Sequence, residues 1–228
     1  MSTITTNQLQ QQYIAYFGRP GDPAGIKYWL TSGITESAFA ANIHAQDEYK
    51  NSTVGTKSTQ DQIDGLYQNL FGRSADAEGL MYWTVEVDAG RKSLSDLAVN
   101  LIYSANNPSA GDEAQAAIDK GVLDAKVASA VAFTADIEAD AALQKAYTTD
   151  KSRASAKAWL AGISSTEATA AEVDAATAGV LTADDPVVVV DPTYTVATDV
   201  ASVSEGGTVT TTVSTTNVAE GTTLYWEV

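Results

Sequence analysis

A thirteen-residue stretch of this chain occurs twice. Residues Phe17 to Trp29 (FGRPGDPAGIKYW) realign with Phe71 to Trp83 (FGRSADAEGLMYW) at a shift of 54, and seven of the thirteen positions are identical. These are Phe17/Phe71, Gly18/Gly72, Arg19/Arg73, Asp22/Asp76, Gly25/Gly79, Tyr28/Tyr82 and Trp29/Trp83. Tyr13 pairs with Tyr67 at the same shift, and after a short insertion Ser37, Ala40 and Asn42 match Ser95, Ala98 and Asn100. A repeat of this size is one supersecondary unit, and it leads the reading of the fold.

Each copy reads as helix, structured loop, short helix, turn, helix. Leu9, Tyr13, Tyr16 and Phe17 share one helical face, as do Ile63, Leu66, Tyr67, Leu70 and Phe71. Gly18 and Gly72 stand where a left-handed residue ends a helix. Asp22 and Asp76 precede the next helix as N-caps, and Ser93 with Asp96 resembles a capping box. From Asp112 to Leu181 the chain is alanine-rich, with Ile118, Val122, Leu123, Val127, Val131, Ile137 and Leu143 on helical spacing. Trp159 and Leu160 before Gly162 resemble a degenerate third Trp–turn–helix unit. Such helices bury little area each and need neighbours, which predicts a bundle.

The composition changes at residues 182–193, where Pro186 and Pro192 sit among aspartates and predict an extended linker. From Thr193 to Val228, fourteen Ser or Thr and no helical signal predict strands at Thr208–Val213 and Thr222–Trp226. The predicted fold is therefore mainly α, a helical repeat bundle, followed by a small all-β segment that begins an immunoglobulin-like sandwich. Its segments are 1–58 and 59–111 for the two repeats, 112–181 for the alanine-rich region, 182–193 for the linker and 194–228 for the partial sandwich.

Charge and composition exclude several functions. The net charge is −16, all 13 Lys and Arg lie at or before Lys157, and ten acidic residues follow Ala158 without a base. Phosphate binding needs Lys and Arg that release counterions, so no nucleic-acid partner is expected. There is no cysteine and only one histidine, His44, which has no partner at ligand spacing. No phosphate-loop, dinucleotide or nucleophile-elbow motif occurs, and no enzyme activity is expected. No apolar stretch is long enough to span a membrane. The first residues lack a signal-peptide pattern, and the last read as a strand without a closing turn, so a longer chain carrying an export signal elsewhere is expected.

The repeated motif Phe-Gly-Arg-x-x-Asp-x-x-Gly-x-x-Tyr-Trp resembles a helical family of unknown function found repeatedly in bacterial surface and exported proteins. The second copy, continuing through Ser93 to Ala98, is the fuller match. Ser202 to Val209 and Gly221 to Tyr225 are similar to Calx-beta-like repeats of giant surface proteins. The order of the two resembles S-layer-type proteins of marine cyanobacteria. The resemblance implies an extracellular, outer-surface location and a role in anchoring or assembly, with lipopolysaccharide, another surface glycan or further copies of the chain in a lattice as partners. A docking module of a phage or bacterial adhesin, or the accessory region of an exported enzyme, is the alternative.

Two readings of the motif stay open. Arg19 with Asp22, and Arg73 with Asp76, have the chemistry to grip a saccharide through bidentate hydrogen bonds. Equally, Asp can cap the helix while Arg pins the loop. Tyr28 and Tyr82 can stack on sugar rings, or sit at the rim while Trp29 and Trp83 enter the core. Asp76, Glu78, Glu86 and Asp88 read as a solvated acidic face. Asp184, Asp185, Asp191 and Glu205, at the junction before the β segment, are the candidate calcium ligands.

Overall fold

The computed structural model describes residues 3–52, 54–183, 193–199, 201–216 and 218. These form eleven helices and a two-stranded antiparallel sheet, so the chain is mainly α with a small β segment. It divides into two compact units, Met1–Asp185 and Pro186–Val228.

In the helical unit the first repeat comprises α1 (Thr6–Phe17), α2 (Pro23–Thr31) and α3 (Glu36–His44), followed by the single turn α4 (Asp47–Lys50). The second comprises α5 (Thr59–Phe71), α6 (Ala77–Asp88) and α7 (Leu94–Asn106). Local rules set the ends of these helices. Thr5 and Gln8 form a capping box that starts α1, and Ser58 caps α5. Gly18 and Gly72 end them with φ of 68° and 69°, a conformation a side chain resists. Ser93 caps α7 by accepting from the Asp96 amide, but Asp96 takes its bond from the Ser93 hydroxyl and so does not close a full capping box.

The predicted apolar face of α1 and α5 is the core. Leu9, Tyr13, Tyr16, Phe17, Ile63, Leu66, Tyr67, Leu70 and Phe71 are all buried in one cluster with Phe39, Leu97 and Leu101. α1 packs on α5, and α3 on α7, so the two copies share this core. Their joint floor is α8 (Glu113–Ala139), a 27-residue helix that touches α1, α2, α5 and α7. Its buried alanines, Ala116, Ala125 and Ala130, let these neighbours approach closely. Polar ties fix the register: Gln10 Nε2 donates to Thr134 Oγ1 at 2.8 Å, and Thr134 Oγ1 donates to the Gly21 carbonyl at 2.8 Å. Ile118, expected on the apolar stripe, is 59% exposed, because the stripe of α8 runs through Ala116, Asp119, Val122 and Leu123 instead.

The alanine-rich chain continues as α9 (Ala141–Ala146), α10 (Asp150–Ala161) and α11 (Ala170–Thr182). A second apolar cluster of Phe133, Ile137, Leu143, Tyr147, Ala156, Val173 and Val180 binds them to the far half of α8. Trp159 stacks on Phe133 at 5.2 Å, and a turn and α11 follow.

In the second unit β1 (Thr193–Thr198) pairs with β2 (Thr211–Thr216), with Val196 opposite Val213. The strand expected at Thr208–Val213 begins at Thr211 and runs on to Thr216, and its partner β1 was not anticipated. The reason is register: Asp199 and Thr210 close the ladder, with Thr210 N donating to Asp199 Oδ1 at 3.0 Å and Asp199 N to the Thr210 carbonyl at 3.0 Å. The strand expected at Thr222–Trp226 lies outside the described residues.

Candidate functional site

The loop between the first two helices of each repeat is built the same way twice. After Gly18, Arg19 Nη1 donates to the Pro20 carbonyl at 2.9 Å; after Gly72, Arg73 Nη1 donates to the Ser74 carbonyl at 3.0 Å. Gln10 Oε1 accepts from the Gly21 amide, and the equivalent Asp64 Oδ1 accepts from the Ala75 amide, at 2.8 and 2.9 Å. Asp22 then caps α2 through Gly25 N, and Asp76 caps α6 through Gly79 N, both at 2.7 Å. The glycine three residues after each aspartate has a steric cause. A Cβ on Gly25 would lie 2.5 Å from the Tyr13 hydroxyl, and one on Gly79 would lie 3.1 Å from that of Tyr67.

Each arginine has its fork closed by an acid that follows the third helix of its repeat. Arg19 Nε and Nη2 donate to Glu48 at 2.7 and 2.8 Å, and Arg73 Nε and Nη2 donate to Asp119 at 2.8 and 2.7 Å. The guanidinium of Arg19 also lies 5.1 Å over the Phe17 ring, and that of Arg73 lies 5.1 Å over Tyr67. Burial works against the charge on Arg19, but Glu48 and Tyr147 outweigh it and hold the guanidinium protonated beyond its usual range. The bond to Asp119 does the same for Arg73. Burial pushes the Tyr147 hydroxyl up to about 12, and it donates to the Pro20 carbonyl at 2.7 Å.

The structure thus brings Arg19 and Asp22, and Arg73 and Asp76, into one loop each, with structural partners for both. Arg73 Nη1 lies 3.8 Å from Asp76 Oδ2, and its better partner is Asp119. Tyr28 and Tyr82 are 63% and 53% exposed, each edge-on to its half-buried Trp neighbour at 4.9 Å. The acidic face on α6 is dispersed. Glu86 takes two bonds from Arg91, which hold its carboxyl below the ordinary range, and Asp88 accepts from Thr59. Asp184, Asp185 and Asp191 lie outside the described residues, and Glu205 is exposed beside Gly206. Among the described residues no group of three or more His, Asp or Glu converges closely enough to hold a metal ion. His44 is half-buried between Tyr16 and Tyr49, and burial, with Lys50 nearby, lowers its pKa.

Beside each loop is a cleft. In the first repeat it measures about 270 Å³ and is lined by Tyr13, Phe17, Arg19, Asp22 and Glu48. In the second it measures about 560 Å³ and is lined by the equivalents Tyr67, Phe71, Arg73, Asp76 and Asp119. Arg153 on α10 lines the first cleft, with Nη1 4.0 Å from Glu48 Oε2, whereas the second cleft is walled by the chain leading from α7 into α8, including Asn107, Ser109 and Asp112. The first cleft therefore holds two guanidiniums, Arg19 and Arg153, against two carboxylates, Asp22 and Glu48. The second holds one guanidinium, Arg73, against four carboxylates, Asp76, Glu78, Asp112 and Asp119. Tyr82 forms part of its wall.

Glu48, Asp119 and Arg153 escaped the sequence reading. Asp119 did leave a signal, since it and Lys126 are the charged residues on the buried stripe of α8, at 6% and 1% exposure. The Lys126 ammonium donates to the last carbonyls of α5, Asn69 O at 2.7 Å and Gln68 O at 3.4 Å, and burial lowers its pKa to about 8.

The fold and clefts define a duplicated helical module on a shared floor helix. A family profile described as a domain of unknown function, DUF4214, matches residues 36–110, from α3 to the end of the second repeat. No curated protein and no solved structure matches the chain.

Proposed function

We propose that this chain is the N-terminal anchoring or assembly region of a secreted, S-layer-type cell-surface protein, and that its helical unit works by contact and not by turnover. The observation that carries this reading is the pair of clefts. The same architecture takes in the chain's own Arg153 in one copy and is wider, acidic and beside an exposed tyrosine in the other. An open, mixed aromatic and polar cleft on rigid helices suits recognition of a partner.

Its charge bears on the choice of partner. With Arg73 already paired to Asp119, the remaining charged groups lining the cleft are carboxylates, which favour neutral sugar hydroxyls or a basic partner over bare phosphate. Lipopolysaccharide is then held through its neutral sugars, or through calcium bridging its phosphates to acidic groups such as Asp184, Asp185, Asp191 and Glu205. The test is a pull-down of the purified chain on lipopolysaccharide and on neutral surface glycan, with calcium and with chelator, beside surface-protease accessibility in cells. Retention on either polymer and protease access support the reading. No retention, with the protein shielded from external protease, would overturn it.

A further inference from the structure

We propose that the second-repeat cleft binds an arginine side chain presented by a partner polypeptide, as the first-repeat cleft takes in Arg153 from α10. This rests on the reading of that cleft as a contact site and specifies its ligand.

The two clefts serve as each other's comparison. Tyr13, Phe17, Arg19, Asp22 and Glu48 line the first cleft together with a second guanidinium, that of Arg153 from α10, which lies between Glu48 at 4.0 Å and Asp150 of its own helix at 3.9 Å. Tyr67, Phe71, Arg73, Asp76 and Asp119 form the same walls, and no side chain of the described residues takes the Arg153 place. In the first copy the added guanidinium balances the carboxylates two to two. In the second, four carboxylates face one guanidinium, a deficit of three positive charges. A bare metal ion does not fit that deficit, because the carboxylates are spread along the rim and do not converge. An extended organic cation does. Its planar head can lie among Asp76, Glu78 and Asp112, with its stem against Tyr82. The larger volume leaves room for the residues on either side of the arginine.

The experiment titrates the full chain, observed by amide NMR, with a blocked Gly-Arg-Gly peptide and with its lysine and citrulline counterparts. The arginine peptide is expected to shift the amides of Gly79, Tyr82 and Gln115 saturably, more weakly as salt rises, while uncharged citrulline does not. Asp76→Asn with Glu78→Gln, in which asparagine keeps the helix cap, is expected to weaken binding about tenfold. Arg153→Gln is expected to create a second response at Gly25 and Gln46 in the first cleft, with spectral dispersion confirming that the variant is folded. Equal binding of citrulline, no response to arginine, or a folded Arg153→Gln protein whose first cleft ignores the peptide would each overturn the proposal. If a surface glycan shifts these amides and the arginine peptide does not, the ligand is wrong and the contact site stands; if neither does, both fall.

Discussion

Arg19 and Arg73 occupy the same position in two copies of one loop, yet Arg19 is 3% exposed and Arg73 27%. The local chain around them is nearly superimposable in its hydrogen bonds. What differs is what the rest of the molecule lays on top. α9 and α10 bring Tyr147 and Arg153 over the first loop, whereas the second is bordered by the chain leading from α7 into α8. Duplication therefore preserves the device that shapes the loop, while its surroundings decide whether the loop is core or surface.

The sharpest way to break this comparison is to truncate both arginines. Arg19→Ala removes a buried ion-pair partner and should cost about 3 kcal/mol of unfolding free energy in urea titrations. Arg73→Ala, nearer to solvent, should cost about 1 to 2 kcal/mol. Equal losses would mean that the cover over the first loop contributes nothing.

A second contrast lies at the ends of α1 and α5. The end of α1 is closed by a neutral amide, Asn69 Nδ2 donating to the Ala15 carbonyl at 2.9 Å, and that of α5 by the Lys126 ammonium. Because burial lowers the folded-state pKa of Lys126 to about 8, folding expels a proton between that value and the ordinary lysine range. The unfolded chain binds more protons there, so stability from this group is lowest below pH 8 and grows as pH rises towards 10. Between pH 7 and 9.5 the gain should be about 2 kcal/mol. Lys126→Met should abolish it, and a wild-type stability that stays flat over this range would contradict the assignment.

The smallest contrast should be none at all. Asp22→Ala and Asp76→Ala each remove one N-cap bond of the same length, and each should cost about 1 kcal/mol. A gap between the two well above that figure in thermal or urea melts would show that one aspartate does more than cap its helix.

What was legible in the sequence is what the local chain determines. Gly18 and Gly72 as helix stops, Asp22 and Asp76 as caps, and the faces of α1 and α5 all depend on residues within two turns, and each was read from spacing. The closing acids were not. Glu48 lies 29 residues from Arg19 and Asp119 lies 46 from Arg73, and nothing in spacing says which carboxylate will meet which guanidinium. Arg153 meets the first repeat only because α10 folds back over it. In the β segment, Thr-rich alternation gave strand character but not register, so the limits of β2 moved and β1 went unseen. Ile118 shows the same gap in a helix: its face was set by which neighbours α8 meets, not by its own hydrophobicity.

The family profile stops at residue 110, three residues before α8 begins, and the helix that completes both repeats lies wholly outside the matched segment. A module cut at that border would carry Arg73 without Asp119, α5 without its ammonium, and Leu66 and Leu70 beside the gap left by Leu123 and Val127. The matched segment and the folding unit are thus different lengths of chain. In this chain the floor helix supplies both an acid and a base from one buried stripe, and a segment ending at residue 110 has neither.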